Sequence, residues 1–123
     1  MIEKLTDKAL TLEISDEGSE VLVRLLGRST ARDPRAFLGP ALSKVLEVSL
    51  AAKKPLTLDF RALDYFNSST ITPVVRILQQ VKAQGGRAVI RYRADLNWQR
   101  LSFSALSVLE SDGKAIVLDG GKP

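Results

Sequence analysis

The chain has 123 residues, 45% of them hydrophobic and 26% charged, with a net charge of +4, which suits one globular domain and is short for two. It holds no cysteine and no histidine. That excludes disulfides, thiolate nucleophiles, Cys/His zinc sites, haem ligation by histidine and every Ser–His or Cys–His triad, and leaves an enzyme only Asp, Glu, Lys, Ser or Tyr to work with.

The start, Met1 to Lys8, carries Glu3 and Asp7 and has no apolar run behind it, so a secretory signal is not expected. No stretch approaches the roughly 18 apolar residues of a membrane span. With no cysteine to keep oxidised, the expectation is a soluble cytoplasmic protein without cofactor or metal. Leu10-Thr11-Leu12-Glu13-Ile14 alternates apolar and polar residues as a half-buried strand does. Ser15 to Ser19 is turn chemistry, and Val21 to Leu26 reads as a second, antiparallel strand. Asp33-Pro34 predicts a helix start, with Asp33 as N-cap and Pro34 at the first helical position. Apolar residues at Phe37, Leu38, Leu42, Val45, Leu46, Val48 and Leu50 continue that helix to about Ala52, where Lys53-Lys54-Pro55 ends it.

Leu56 to Phe60 reads as a strand, followed by a connection over 61–70 and a helix along Ile71, Val74, Val75, Leu78 and Val81. Gly85-Gly86 stands where a left-handed C-cap is expected. Ala88 to Tyr92 is a further strand, residues 96–109 a third helix with Trp98, Leu101, Leu106 and Leu109 apolar, and Ala115 to Leu118 a last strand. The order ββαβαβαβ predicts one α/β domain over residues 1–119, a mixed, mostly parallel sheet with helical crossovers, and a short tail at 120–123. Sites in such sheets gather at the carboxyl ends of parallel strands, which points to the connection 61–70.

That connection ends in Asn67-Ser68-Ser69-Thr70. Three hydroxyls at the start of a helix meet backbone N–H groups without intrahelical partners and the positive end of the helix dipole. Two uses fit: simple capping of the helix, or acceptance of a phosphate whose oxygens those N–H groups would receive.

Leu56-Thr57-Leu58-Asp59-Phe60, then Phe66-Asn67-Ser68-Ser69-Thr70-Ile71, an apolar helix, Gly85-Gly86 and Ala88-Val89-Ile90 resemble the pattern of STAS domains, the bacterial anti-sigma-factor antagonists. The run Tyr65-Phe66-Asn67-Ser68-Ser69 is also similar to that of SiaC-like STAS regulators. The resemblance implies a non-enzymatic interaction module switched by phosphorylation, with Ser68 as acceptor and Ser69 as second choice. It implies partner contacts through Tyr65, Phe66, Asn67, Ser69, Thr70 and Ile71. The partners implied are a GHKL-type kinase or anti-sigma factor, a PP2C-type phosphatase and a downstream effector enzyme. Asn67 stands where antagonists have Asp, which removes a carboxylate beside the acceptor, and Thr70 replaces a glycine, adding bulk at the docking rim.

Other features are less specific. Asp59 and Asp64 could form a carboxylate pair, but Asp59 at a strand end is expected to bond loop amides. Gly85-Gly86 lacks the spacing and the following Lys-Ser/Thr of a phosphate loop. Trp98 is expected to pack between helix and sheet, and Tyr92 to face the core, opposite Arg91 and Arg93. Between residues 76 and 100, six cations (Arg76, Lys82, Arg87, Arg91, Arg93, Arg100) meet one acid, Asp95, a local excess of +5. If they share one face, the alternative is a small nucleic-acid-binding domain. A constitutive STAS-type scaffold, or one holding a nucleotide, is a further alternative.

Overall fold

The computed structural model describes residues 2–110 and 115–121. Three antiparallel strands open the chain: β1 (Ile2–Asp7), β2 (Leu10–Asp16) and β3 (Val21–Ser29). The helix α1 (Arg35–Ala52) leads to β4 (Leu56–Asp59), which runs parallel to β3. A short strand β5 (Leu63–Phe66) follows, then a 3-10 turn (Ser68–Thr70) continuous with α2 (Ile71–Ala83). The chain continues through β6 (Ala88–Arg91), α3 (Asn97–Ser104), a second 3-10 turn (Ala105–Leu109) and β7 (Ile116–Asp119). The sheet order is β1-β2-β3-β4-β6-β7, with β5 paired parallel to β3 beyond the end of β4.

The mixed α/β architecture is therefore as expected, with two strands more than the periodicity predicted. β1 has apolar residues only at Ile2 and Leu5, so it carries no alternation to read; as an edge strand it needs apolar character only where Leu5 lies opposite Leu12. β5 lies inside the expected connection 61–70. It forms because β3 is nine residues long and runs past β4, offering Gly27, Arg28 and Ser29 to Leu63, Tyr65 and Phe66.

Alternate strand residues, among them Leu12, Val23, Leu58, Ile90 and Ile116, join Leu38, Leu42, Val45, Ile77, Leu78 and Phe103 in one buried cluster. The helices thus cover one face of the sheet. Each such fully buried side chain is worth about 1.5–3 kcal/mol relative to exposure.

The helix ends agree in part with expectation. Lys53 takes the left-handed conformation (φ 57) that stops α1, and Gly85 (φ 73) does the same after α2. The start of α1 differs: the helix begins at Arg35, Pro34 occupies the cap position, and no side chain caps it. Asp33 instead contributes its carbonyl to the Ala36 N–H, its carboxylate lying 3.9 Å from Arg35. The third helix also turns differently. Leu101 is exposed, whereas Gln99 and Phe103 are buried.

Candidate functional site

Asn67 organises the turn. Its backbone N–H donates to the Ser29 carbonyl at 2.9 Å, and its side-chain Nδ2 donates to the Ala31 carbonyl at 2.9 Å. Its Oδ1 accepts from both the Thr70 N–H (3.1 Å) and the Thr70 hydroxyl (2.8 Å). An extended residue (φ −81, ψ 167) whose side chain accepts from the third residue on is the usual N-cap arrangement. Thr70 Oγ1 also lies 2.7 Å from Ser29 Oγ. These bonds tie the head of α2 to the end of β3 and the loop beyond it.

This network separates the three hydroxyls. Thr70 is fully buried, while Ser68 and Ser69 are exposed on the outer side of the same turn. Among the described residues, the backbone N–H groups of Ser68 and Ser69 take no intrachain acceptor, as expected for the first positions of a helix. The turn therefore offers two accessible hydroxyls on a rigid frame, facing the positive end of the helix dipole.

The expected contact residues divide in the same way. Tyr65 is 41% exposed, Asn67 and Ile71 are partly exposed, and Ser69 is exposed. Phe66 and Thr70 differ from the others in being buried, with their side chains pointing inward. Phe66 packs edge-on against Trp98 (5.3 Å), Phe103 (5.7 Å) and Phe60 (6.4 Å between ring centres). Thr70 adds no bulk at the rim; its methyl and hydroxyl are spent inside.

Two contributors escaped the sequence reading. Arg28 lies over the Tyr65 ring, 5.0 Å from its centre. Ser29 supplies the buried hydroxyl beneath Thr70. Nothing in a short polar residue ending a strand signals this, because its partner is 41 residues away. Trp98 is a packing residue, as expected, half-buried against Phe66 and within 6.4 Å of Tyr65. Tyr92 stacks on Phe103 at 5.2 Å.

The carboxylates do not form a working pair. Asp59 accepts from Arg61 Nε (2.9 Å), Arg61 Nη2 (2.8 Å) and the Arg61 backbone N–H (3.0 Å), so it does bond the loop that follows it. Burial pushes its carboxyl up, but the hydrogen bonds from Arg61 and the charges of Arg61 and Arg24 outweigh this and hold it below the usual carboxylate range. Asp64 is exposed on β5. Among the described residues, no group of three or more acidic residues is placed to hold a metal ion. No described helix is long and apolar enough to cross a membrane.

The six cations do not share a face. Arg87 precedes β6 and Arg93 follows it, at opposite ends of the strand. Arg91 pairs with Glu20 at 3.3 Å, and Arg93 with Asp95 at 2.8 Å. A cleft of about 550 Å³ at the carboxyl ends of β4, β6 and β7 is lined by Arg61, Arg93, Tyr92 and Gly120. Both of its guanidiniums are already committed to carboxylates.

No protein-family model and no curated protein sequence matches the chain. Solved structures do. An anti-sigma factor antagonist from Mycobacterium paratuberculosis superposes with a TM-score of 0.62 over 94% of this chain and 90% of its own, at 14% identity. Apo-SiaC from Pseudomonas aeruginosa gives 0.65 over 97% and 98%, at 18% identity. SiaC in complex with the diguanylate cyclase SiaD, which it activates, gives 0.64 over 95% and 98%, at 21% identity. The chain has the STAS fold, that of the anti-sigma factor antagonists. Within that fold it is similar over nearly its whole length to SiaC as well as to the antagonist.

Proposed function

We propose that this protein is a non-enzymatic, cytoplasmic regulator of the STAS type, which binds a partner protein through the head of α2 and is switched by phosphorylation of Ser68, with Ser69 as the second acceptor. One observation carries the reading: Ser68 and Ser69 stand exposed on a turn whose third hydroxyl, Thr70, is locked inside by Asn67 and Ser29. A phosphate added there brings about −1.5 to −2 charge at neutral pH and is received by the free N–H groups of the helix start, without disturbing the buried network. The partner meets Tyr65, Asn67, Ser69 and Ile71, and the new charge alters that fit electrostatically and sterically. Phe66 and Thr70 hold these residues from beneath.

The partners this reading calls for are a GHKL-type serine kinase or anti-sigma factor, a PP2C-type phosphatase and a downstream effector enzyme. The similarity to SiaC, solved in complex with a diguanylate cyclase, supports the last of these. The test is incubation with a GHKL-type serine kinase, followed by mass spectrometry of the 67–72 segment. A phosphate on Ser68, lost in Ser68→Ala, is the expected result. No phosphate on this segment, together with unchanged partner binding by Ser68→Asp, overturns the reading.

A further inference from the structure

The face of the sheet opposite the helices carries a row of charge with a definite order. Strand registers place Lys4 beside Glu13, Glu13 beside Arg24, Arg24 beside Asp59, Asp59 beside Arg91, and Arg91 beside Asp119. From one edge of the sheet to the other the signs run plus, minus, plus, minus, plus, minus. Part of this row is used within the chain: Glu13 lies 3.7 Å from Lys4 and 3.6 Å from Arg24. Arg61 clamps Asp59 and Glu20 pairs with Arg91, adding one charge of each sign and leaving the face neutral. Such a face has no net attraction for a strongly acidic or basic partner.

An alternating row of even length is, when reversed, its own complement. We infer that this uncovered face binds a second copy of the chain, related by a two-fold axis running parallel to the strands between β3 and β4. That rotation sets Lys4 against Asp119 of the second copy and Glu13 against its Arg91, while at the axis Arg24 faces the position of Asp59, whose own carboxylate is buried under Arg61. A two-fold axis at right angles to the strands would instead set like charges together, so the row selects one orientation. The neighbouring row on this face supplies apolar area. Its Leu22 and Val89 are half-buried and its Val117 is 39% exposed, and none of them belongs to the core cluster.

Six strands span about 24 Å, and the four-residue length that β4, β6 and β7 share with the others is about 13 Å, giving roughly 300 Å² per copy. That is the size class of weak, transient association. Charges at its rim are worth little singly, so the row sets orientation while the apolar row drives contact.

The experiment is sedimentation equilibrium of the full chain at about 0.1 M and about 1 M salt, between which the screening length contracts from ~10 to ~3 Å. The expected result is a dimer that weakens with salt. Lys4→Glu and Asp119→Lys each weaken it about tenfold, since symmetry counts every contact twice, and the double variant recovers to within about threefold. Within one copy these residues lie on opposite edges of the sheet, about 24 Å apart, so recovery arises only between copies. Both are exposed edge-strand positions; should Lys4→Glu disturb β1, Lys4→Gln with Asp119→Asn shows weakening without recovery. A monomer at every concentration to about 1 mM, or a dimer indifferent to both reversals, overturns the inference.

Discussion

The hydroxyls of Ser29 and Thr70 meet at 2.7 Å in the interior, and through them the end of β3 is bonded to the head of α2. Thr70 in turn donates to Asn67, whose amide reaches back to the Ala31 carbonyl. The turn bearing Ser68 and Ser69 is thus held by the buried Ser29–Thr70 pair and the part-buried Asn67, and the side chains of Ser68 and Ser69 are free of structural duty.

That division predicts opposite behaviour from adjacent hydroxyls. Thr70→Val leaves Ser29 without its partner in the interior and costs about 1–3 kcal/mol, read as a shift of the urea midpoint. Ser68→Ala and Ser69→Ala stay within about 0.5 kcal/mol of the parent, because nothing buried depends on them. Equal losses from Ser68→Ala and Thr70→Val would remove the distinction between acceptor and frame.

At position 67 the structure distinguishes an amide from a carboxylate. An Asp carboxylate still accepts from Thr70 but sets an anion against the Ala31 carbonyl that the Asn67 amide now satisfies. A negative charge at a helix N-terminus recovers about 0.3–1 kcal/mol, against about 0.5–1.5 kcal/mol for the part-buried bond that is lost and the anion set beside a carbonyl oxygen. Asn67→Asp is therefore expected to lower stability at neutral pH, measurable by thermal unfolding.

Asp59 and Arg61 predict a pH dependence with a definite sign. Because the folded carboxyl is held below its ordinary value of 3.8, its contribution is present above that value and is lost as pH falls through the depressed folded value. Arg61→Gln removes the clamp while burial remains, so the variant is less stable at neutral pH by about 1 kcal/mol, discounted for the exposure of Arg61. The two denaturation curves converge in acid, where the carboxyl is protonated in both. A difference independent of pH would show that the clamp contributes packing alone.

Gly27 lies at the bulge where β3 leaves β4 for β5, with φ +89. A Cβ there would collide with the Ala9 carbonyl oxygen, which accepts the Arg28 N–H. Gly27→Ala is expected to cost at least about 1–3 kcal/mol and to loosen the β1–β2 turn and the start of β5 together. Amide exchange should accelerate at Arg28 and along 63–66; acceleration confined to 8–10 would refute the coupling.

The periodicities legible along the chain were those of segments with one clear buried side. β2, β3, α1 and α2 announce themselves because their apolar residues recur every two or every three to four positions. β1 and β5 do not, since an edge strand and a four-residue extension owe their form to the strand beside them. Gln99 shows the limit of hydrophobic counting. It is fully buried because Nε2 donates to the Phe60 and Leu63 carbonyls, at 2.8 and 3.2 Å, and Oε1 accepts from Arg93 at 2.7 Å. A phase set by Trp98 and Leu101 therefore missed how α3 sits.

The absence of Cys and His, the alternation of strand and helix periods and the hydroxyl-rich head of α2 can all be read along the chain, since composition and short-range spacing are properties of neighbours in sequence. The burial of Thr70, the dispersal of the six cations and the alternating row from Lys4 to Asp119 needed the folded chain. The first two depend on how the helices pack, and the row depends on strand register, where a slip of one residue would turn every side chain of a strand to the other face. Nothing local specifies which residue of β4 stands beside Arg24. Packing of the buried faces against α1 and α2 selects it, and the charge order on the open face follows.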